Sequence, residues 1–300
     1  MNAAAESTVI TTPYPHPRPA PAHDRRSIGA VLIDAGRLKI EDAESVLRLQ
    51  RAQNLRFGDA AIQLGLLTQA DIDYALSRQF DFPYLLRGQS AVSEEVVAAY
   101  TPFAPQVEAL RALRSQLMLR WFDAAPANNA LAIVSAERGE GRSFIAANLA
   151  VVFSQLGERT LLIDGDLRNP CQHRLFGIDD RTGLAGVLAG RAGPEAVQRI
   201  PSLANLSVLP AGALPPNPQE LLARPLFPQL LQQLAPQLDV IIIDTPASGG
   251  TADAQTIAVR AGAALIVARK NSVRSWRVQG VSDSVAQAKA TIVGSVLNDY

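Results

Sequence analysis

The stretch "LAIVSAERGEGRSFIAANLA" (Leu131–Ala150) decides the fold. Its first four residues are apolar, as in a buried strand, whereas the residues from Ser143 onward have the composition of a helix. Between them, Gly139 and Gly141 let backbone N–H groups converge on an anion without interference from side chains. The positive end of the following helix adds to that attraction. A strand, a glycine loop and a helix in this order predict a phosphate-binding loop.

The side chains of this loop predict how a nucleotide is held. Ser143 occupies the place of the hydroxyl that ligates Mg²⁺ beside the β-phosphate. Arg142 stands where lysine is usual, and arginine keeps the charge but is longer, planar and forked. We therefore expect binding to survive and the alignment of a transferred phosphoryl group to be at risk. The residues expected to contact ATP are Glu137, Arg138, Gly139, Glu140, Gly141, Arg142, Ser143 and Phe144.

Apolar runs alternate with helical stretches from about residue 105 onward. The runs are apolar throughout, which is typical of buried parallel strands rather than of strands with one wet face. The pattern predicts a three-layer α/β fold with a mostly parallel sheet. The predicted strands cover residues 131–134, 160–164, 206–210, 239–244, 263–268 and 292–298.

Carboxylates follow two of these predicted strands. Asp164 and Asp166 come at the end of "TLLIDGD", and Asp244 ends "VIIID". The carboxyl ends of parallel strands lie along the edge where the phosphate loop lies, so we expect the three side chains to converge there. Any one of them is explained equally well as a helix N-cap. Together with a glycine loop, they favour a site for a Mg²⁺-nucleotide and for a hydroxyl that is to be deprotonated.

The segment 105–300 resembles the catalytic domain of the bacterial tyrosine kinases of polysaccharide export, in particular the EpsG-type chain-length-determinant group. The resemblance implies a P-loop fold like that of the MinD and Mrp ATPases, with ATP and Mg²⁺ as cofactors. The matching motifs are the loop Ser135–Ser143, "LLIDGDLRNP" (161–170), "IIIDTP" (241–246), "TGLAGVLAG" (182–190), "LPAGALPPNPQELL" (209–222) and "GSVLN" (294–298).

The same resemblance implies a role for each matched residue. It implies phosphoryl transfer by Asp164, Asp166 and Arg142. It implies Mg²⁺ ligands at Ser143, Asp164 and Asp244, and a position near the base for Asn298. The helix "EALRALR" is similar to the element through which such domains pack into rings, which implies a homo-oligomer contact at Glu108, Arg111 and Arg114.

The acceptor and the partner are implied in the same way. Family members end in clustered tyrosines that neighbouring copies phosphorylate, whereas Tyr300 is the only tyrosine after Tyr100 here. We expect Tyr300 to be the phosphoacceptor. No apolar run approaches the roughly 18–20 residues of a membrane span, and no signal peptide opens the chain. We therefore expect a cytoplasmic protein that reaches the inner face of the plasma membrane through a membrane-bound, Wzz-type chain-length determinant.

The N-terminal third contains an internal repeat. "SIGAVLIDAGRLKIEDAESVLRLQ" (27–50) and "RFGDAAIQLGLLTQADIDYALSRQ" (56–79) align without gaps at an offset of 29 residues. Each copy predicts a short helix ended by glycine and then a second helix with acidic residues in its first turn. We divide the chain into a flexible tail rich in proline and alanine (1–24), a helical domain (25–88), a linker (89–104) and the α/β domain (105–300).

The repeat resembles the MshEN-type domain of type II secretion and pilus ATPases. Some members of that family bind cyclic di-GMP through two such motifs, each of which opens with arginine. Ser27 replaces that arginine in the first copy, although Arg26 precedes it. The domain is thus either a docking domain or a cyclic di-GMP receptor. The residues that the resemblance implies for the dinucleotide are Arg26, Gly29, Gln50, Arg56, Gly58 and Gln79.

Composition excludes several other classes. Lys plus Arg and Asp plus Glu balance at 28 each, so no bulk charge points to nucleic acid. The single cysteine excludes an internal disulfide framework. Our main hypothesis is an ATP-dependent protein-tyrosine kinase that controls exopolysaccharide chain length or export. The alternative is an ATP-binding regulatory module with weak or no catalysis. A partitioning ATPase of the MinD type lacks support, because the loop has no early lysine.

Overall fold

The computed structural model describes residues 26–79 and 84–299. The chain forms two compact units, Met1–Phe82 and Pro83–Tyr300. The predicted tail 1–24 and the expected phosphoacceptor Tyr300 lie outside the described residues. None of the described helices is long and apolar enough to cross a membrane.

Residues 26–79 of the first unit form four helices, two from each copy of the repeat. They are α1 (Ile28–Asp34), α2 (Ile40–Gln53), α3 (Phe57–Gln63) and α4 (Gln69–Gln79). Gly36 and Gly65 follow α1 and α3 closely, and both have φ +67°. Glycine adopts this left-handed conformation without steric cost, as predicted for the end of each short helix.

The core of the first unit repeats with the sequence. Its ten buried apolar residues form five pairs, each separated by 29 residues. Equivalent positions in the two copies therefore do the same packing work, and the repeat is structural. The pairs are Val31 and Ala60, Leu32 and Ala61, Leu38 and Leu67, Ala43 and Ile72, and Val46 and Ala75.

Residues 84–299 form seven strands and the helices that flank them. The strands are β1 (Ala130–Val134), β2 (Thr160–Asp164), β3 (Gln198–Arg199), β4 (Leu206–Leu209), β5 (Val240–Asp244), β6 (Ala263–Arg269) and β7 (Thr291–Asn298). The helices are α5 (Val97–Tyr100), α6 (Pro105–Leu117), α7 (Arg142–Leu156), α8 (Gln172–Phe176), α9 (Leu184–Leu188), α10 (Pro218–Ala223), α11 (Leu226–Leu234), α12 (Asp253–Ala261) and α13 (Ser275–Gln287).

The seven strands make one sheet in the order β3-β4-β2-β5-β1-β6-β7. Every neighbouring pair is parallel except β3 with β4, which is antiparallel. The predicted mostly parallel sheet is confirmed, and all six predicted strands are present. The two-residue strand β3 was not predicted, because so short a segment carries no hydrophobic pattern.

Helix α7 lies at the centre of one face of the sheet. It contacts β1, β2 and β5, while α5 and α6 cover its outer side. Leu131, Ile133, Leu162 and Ile242 join α7 in one apolar core. The helix is therefore buried on nearly all sides, which fixes the position of its first turn relative to the strand ends.

The segment 89–104, expected to be a linker, packs into the second unit instead. Val96, Ala98 and Ala99 are buried in its core. The backbone N–H of Ala98 donates to Oδ1 of Asn148 in α7 at 2.9 Å. The short helix α5 therefore acts as part of the α/β unit, because its apolar residues cover α7.

Candidate functional site

The two strand-end carboxylates of β2 and β5 lie side by side. Asp164 pairs in register with Asp244 across the parallel strands. Side chains alternate along a strand, so both carboxylates lie on the same face as Leu162 and Ile242, the face covered by α7. Both residues are fully buried. The predicted convergence of these carboxylates beside the phosphate loop is therefore what the sheet register produces.

Asp164 is held by backbone N–H groups. Its Oδ2 accepts from Cys171 at 3.0 Å and from Gln172 at 2.9 Å, and its Oδ1 accepts from the N–H of Asp166 at 3.2 Å. Asp166 is 7% exposed, and its Oδ1 accepts from the N–H groups of Arg168 and Asn169. Asp164 therefore lies at the buried centre of the site and Asp166 at its rim.

Asp244 is less well satisfied. Its Oδ2 accepts from Nε2 of Gln172 at 2.8 Å, and its carboxylate also accepts from the hydroxyl of Ser143. Its Oδ1 is buried and has no hydrogen-bond partner among the residues that the structure describes. An unpaired buried carboxylate oxygen is costly unless a cation or an ordered water meets it.

Gln172 connects the three elements of the site, and the sequence gave no hint of it. Its side-chain Nε2 donates to Asp244 and to the carbonyl of Ser143 at 3.2 Å, while its backbone N–H donates to Asp164. Its Oε1 is a second buried oxygen without a partner among the described residues. A glutamine after a proline-containing loop belongs to no sequence pattern, so only the packed structure reveals its position.

Burial perturbs the titration of this carboxylate pair. Burial raises the pKa of Asp164 to about 8, and repulsion from Asp244 adds to this shift. Burial also raises the pKa of Asp244 to about 6, although hydrogen bonds from Ser143 and Gln172 oppose it. The pair therefore holds a proton near neutral pH, which a divalent cation would displace. The neighbouring thiol of Cys171 is neutral, since burial raises its pKa to about 12.

The phosphate loop has the backbone conformation predicted from its glycines. Gly139 has φ +79° and Gly141 has φ +93°. A Cβ atom on Gly141 would lie 2.2 Å from Nδ2 of Asn298, which itself donates to the carbonyl of Glu140 at 3.0 Å. Asn298 thus braces the loop from the end of β7, and only glycine fits at position 141.

Arg142 points into the loop and is only 7% exposed. Its Nε donates to the carbonyl of Thr245 at 2.8 Å, and one terminal nitrogen donates to the carbonyl of Glu137 at 2.8 Å. The same nitrogen also donates to the hydroxyl of Ser135. The guanidinium therefore ties the loop to the end of β5, and its fork is engaged by protein oxygens.

The acidic residues of the loop are also engaged within the protein. The carboxylate of Glu140 is buried and accepts from the N–H of Glu137. The carboxylate of Glu137 pairs with Arg277 of α13 at 2.9 Å. This loop is thus fixed at several points and is preorganised.

The remaining predicted nucleotide contacts occupy the outer part of the site. Arg138 is exposed and donates to Oδ1 of Asn169 at 2.7 Å, which joins the phosphate loop to the loop that follows Asp166. Phe144 is half-buried against the apolar core. Its carbonyl accepts from Nδ2 of Asn148 in the same helix.

The donor set fits Mg²⁺. Ser143 supplies a hydroxyl, and Asp244 supplies an oxygen without a protein partner, with Asp164 adjacent. Hard oxygen ligands of this kind suit Mg²⁺, which usually takes one or two protein ligands and completes its shell with water and phosphate oxygens. Within residues 26–79 and 84–299, no three carboxylate, thiol or imidazole side chains cluster as a dedicated metal cage.

The helix α6 presents the predicted oligomerisation motif unevenly. Glu108 is exposed and pairs with Arg111 at 3.1 Å along the helix. Arg114 is half-buried, and one terminal nitrogen donates to the carbonyl of Val152 in α7 at 2.9 Å. Desolvation lowers the pKa of Arg114. Arg114 therefore holds α6 on the α/β unit, whereas Glu108 is the member of the motif that faces solvent.

The predicted dinucleotide residues of the first unit mostly have packing roles. A Cβ atom on Gly29 would lie 3.1 Å from the ring of Phe57, and one on Gly58 would lie 3.1 Å from Ile72. Nε2 of Gln79 donates to the carbonyl of Arg26, whose side chain pairs with Asp34.

The other two predicted dinucleotide residues are at least partly accessible. Gln50 is half-buried, and Arg56 is exposed. In the first copy, Ser27 caps α1 by accepting from the N–H of Ala30, where the family pattern has arginine.

Comparison with known proteins assigns the family. The sequence model of the ParA family, described as NUBPL iron-transfer P-loop NTPase, matches residues 127–299. The tyrosine-protein kinase YwqD of Bacillus subtilis (strain 168) is 32% identical over 209 residues, which cover 70% of this chain and 87% of YwqD. The chain belongs to the bacterial tyrosine kinases. The putative tyrosine-protein kinase EpsB of Ralstonia solanacearum is 33% identical over 77% of this chain, which spans only 29% of EpsB.

Solved structures agree with this assignment. The kinase domain of the Escherichia coli tyrosine kinase ETK superposes with a TM-score of 0.64 at 33% identity, over 68% of this chain and 79% of that domain. The septum site-determining protein MinD of Pyrococcus horikoshii OT3, complexed with Mg-ADP, superposes with a TM-score of 0.51 at 30% identity, over 57% of this chain and 70% of MinD. The predicted MinD-like P-loop fold of this bacterial tyrosine kinase is confirmed.

Proposed function

We propose that this bacterial tyrosine kinase transfers the γ-phosphoryl group of ATP to protein tyrosine and thereby regulates the chain length or export of an exopolysaccharide. One observation carries the proposal. At the end of the phosphate loop, the Ser143 hydroxyl and the unpartnered Oδ1 of Asp244 lie beside the buried Asp164. That arrangement supplies the oxygen ligands of a Mg²⁺-nucleotide where the phosphates meet the first turn of α7.

The residues of the site divide the work of phosphoryl transfer. The loop backbone and the first turn of α7 hold the phosphates, while Asn298 keeps the loop in shape. Mg²⁺, when bound, neutralises charge on the phosphate oxygens. The tyrosine oxygen bonds to the γ-phosphorus, the bond from that phosphorus to the β,γ-bridging oxygen breaks, and ADP leaves. Asp166, at the rim, is positioned to take the hydroxyl proton, with Asp164 behind it.

Arg142 favours a second candidate function. Its guanidinium already donates to Thr245, Glu137 and Ser135, so it must exchange these bonds to follow a moving phosphoryl group. A lysine would do so as a compact point charge. The alternative proposal is an ATP-binding module of the export machinery that binds and assembles but transfers phosphate slowly or not at all.

The partners proposed for either function follow from the family. We propose a membrane-bound, Wzz-type chain-length protein as the activator, at the inner face of the plasma membrane. We also propose self-association through the exposed part of α6, with Glu108 as the residue available to a neighbouring copy.

The first unit is proposed as the input domain. Arg56 is its exposed candidate for contact with a cyclic dinucleotide. Titration of the full chain with cyclic di-GMP by calorimetry tests this, with Arg56→Ala as the variant and Arg51→Ala, also exposed, as the control. Heat that Arg56→Ala abolishes and Arg51→Ala retains supports a receptor, and absence of heat leaves a docking domain.

The kinase proposal is tested by incubating the full chain with Mg-ATP, with and without the cytoplasmic part of its membrane partner. Phosphotyrosine is then mapped by mass spectrometry. We expect phosphorylation at Tyr300 that Asp164→Ala abolishes. If ATP binds and no phosphotyrosine forms with any partner, the kinase proposal fails and the regulatory module stands.

A further inference from the structure

A groove of about 530 Å³ lies beyond the end of β4, outside the nucleotide site described above. One wall is α9, and the other is the segment Ala213–Asn217 with the start of α10. Backbone hydrogen bonds hold the walls together, since Leu184 donates to the carbonyl of Pro210 and Ala185 to that of Ala211. The groove is therefore a built feature rather than a gap between mobile loops.

The charge of this groove has one sign. Arg181, Arg191 and Arg224 line it, and none of its lining residues is acidic. Arg181 pairs with Asp179. In the part of the chain that the structure describes, no carboxylate pairs with Arg191 or Arg224, and Arg224 only donates to the carbonyl of Leu188. Two guanidinium groups thus remain available to an anionic ligand.

Apolar surface lies between these arginines. Leu214 is 63% exposed, and Pro215 and Pro216 follow it in the groove. Alanines line the opposite wall. An exposed leucine beside two prolines offers a flat contact for an aromatic ring or an aliphatic side chain. A ligand that matches the groove therefore combines an apolar or aromatic part with negative charge.

The position of the groove relates it to the reacting groups. Strand β4 is the neighbour of β2, and Leu209 pairs in register with Ile163, the residue before Asp164. The groove consequently opens at the same edge of the sheet as the catalytic carboxylates. It lies on the β4 side of them, whereas Asn298 lies at the end of β7, near the opposite end of the strand order. A nucleotide held between the loop and Asn298 leaves the β4 side to the acceptor.

The loop after Asp166 links the groove to the site. Arg168 pairs with Asp253 of α12 at 2.6 Å. The pair, followed by the nearby Glu220 of α10, raises the pKa of Arg168. The helix α10, which carries one wall of the groove, therefore lies close to the residues that follow the proposed proton acceptor.

We propose that this groove binds the acceptor polypeptide and selects tyrosines flanked by acidic residues, whose carboxylates meet Arg191 and Arg224 while an apolar side chain packs on Leu214. This inference rests on the proposed kinase function and names the substrate class of that site. Charge complementarity carries it, because two arginines without carboxylate partners line a groove beside the catalytic edge. Such charge pairs at an accessible surface act mainly on the selection of partners and on the rate of encounter.

The test measures binding of labelled peptides to the full chain by fluorescence anisotropy in the absence of ATP. The first peptide has one tyrosine flanked by Asp and Glu, and the second has Asn and Gln in their places. We expect the acidic peptide to bind about tenfold more tightly, and less tightly as salt rises, because exposed charges are screened. The double variant Arg191→Gln/Arg224→Gln should remove most of that preference. Arg120→Gln, an exposed arginine far from the groove in sequence, should leave it unchanged.

A charge swap and a phosphorylated peptide sharpen the result. Arg191→Glu should gain affinity for a third peptide with Lys flanking the tyrosine. Equal binding of the acidic and amide peptides, or full affinity of the double variant, would overturn the proposal. So would binding about tenfold tighter after the tyrosine is phosphorylated, since the groove would then be a phosphotyrosine site.

The outcome is independent of the kinase proposal because binding is measured without ATP. If the acidic peptide binds through Arg191 and Arg224 but is never phosphorylated, the kinase function fails and the docking groove stands. If tyrosine is phosphorylated equally well in acidic and amide peptides, the kinase function stands and the docking groove fails.

Discussion

Gln172 donates a hydrogen bond to Oδ2 of Asp244 at 2.8 Å, and the other oxygen of that carboxylate has no partner among the described residues. The glutamine therefore fixes the rotation of the carboxylate and leaves one oxygen for a cation. Because it also donates to the Ser143 carbonyl, it aligns both proposed Mg²⁺ ligands at once. It is a positioning residue, since it acts through Asp244 and Ser143.

Replacing Gln172 with leucine should weaken Mg²⁺ more than it weakens ATP. Residues that orient metal ligands typically contribute 10–100-fold to metal affinity. We expect the Mg²⁺ concentration for half-maximal ATP binding to rise by about tenfold or more in Gln172→Leu, measured by titrating Mg²⁺ at fixed ATP. The control, Gln155→Leu, removes a half-buried glutamine of α7 that donates to Ala98 outside the site. An equal loss of ATP affinity with and without Mg²⁺ would show that Gln172 only supports the fold.

Replacing Asp244 with asparagine should change how stability depends on pH. The folded-state pKa values of the carboxylate pair are raised, so the folded protein holds more protons than the unfolded chain above the ordinary carboxyl pKa of 3.8. Stability from this pair therefore falls as pH rises towards about 8. Asp244→Asn removes one charge and should flatten that fall between pH 5 and pH 8.5.

Thermal unfolding without nucleotide measures this effect. Relief worth about 1.4 kcal/mol per unit of pKa shift raises the midpoint by about 2–4 °C per kcal/mol in a unit of this size. We expect Asp244→Asn to unfold at a higher temperature than the wild type at pH 8.5 and to lose Mg²⁺-dependent ATP binding. The control, Asp123→Asn, lies outside the site. A variant less stable at pH 8.5 than the wild type would contradict the assigned repulsion.

The phosphate loop should tolerate alanine at Gly139 and reject it at Gly141. Both glycines have positive φ, which costs an alanine about 1 kcal/mol, but nothing lies within 4 Å of a Cβ at 139. A Cβ at 141 would strike Asn298. We expect Gly141→Ala to abolish ATP binding and Gly139→Ala to weaken it modestly, both measured by calorimetry. The double variant Gly141→Ala/Asn298→Ala should recover part of the binding, and failure to exceed the single variant would count against the clash.

Arg142→Lys should separate binding from transfer. Lysine releases the bonds to Thr245 and Ser135 that hold the guanidinium, and its ammonium is a compact charge for the phosphate oxygens. We expect a higher rate of tyrosine phosphorylation at similar ATP affinity, measured by single-turnover kinetics. A lower rate would mean that the bonds of Arg142 to the loop are themselves required for transfer.

The sequence allowed the catalytic edge to be predicted because its signals are local. The run 160–164 is apolar up to its final aspartate, and the alternation of side chains along a strand then puts Asp164 and Asp244 on one face. The glycine loop follows from two residues whose positive φ angles no other residue adopts as readily. Such features depend on neighbours in the chain, and the register of a parallel sheet brings them together.

Other features depend on packing between distant segments. The segment 89–104 reads as a linker from its prolines, yet Asn148 accepts from its backbone and its apolar residues cover α7. Arg114 belongs to a charged helical motif, but its bond to the Val152 carbonyl directs it inward. The contacts of Gln172 join three elements far apart in sequence. None of these pairings has a periodic or compositional signature.

The central claim is tested most directly by following the γ-phosphate of labelled ATP in the full chain with its membrane partner's cytoplasmic part. We predict that the label appears on tyrosine in the wild type and that Asp166→Asn reduces this transfer while ATP remains bound. Label released only as inorganic phosphate, with none on tyrosine, would contradict the account.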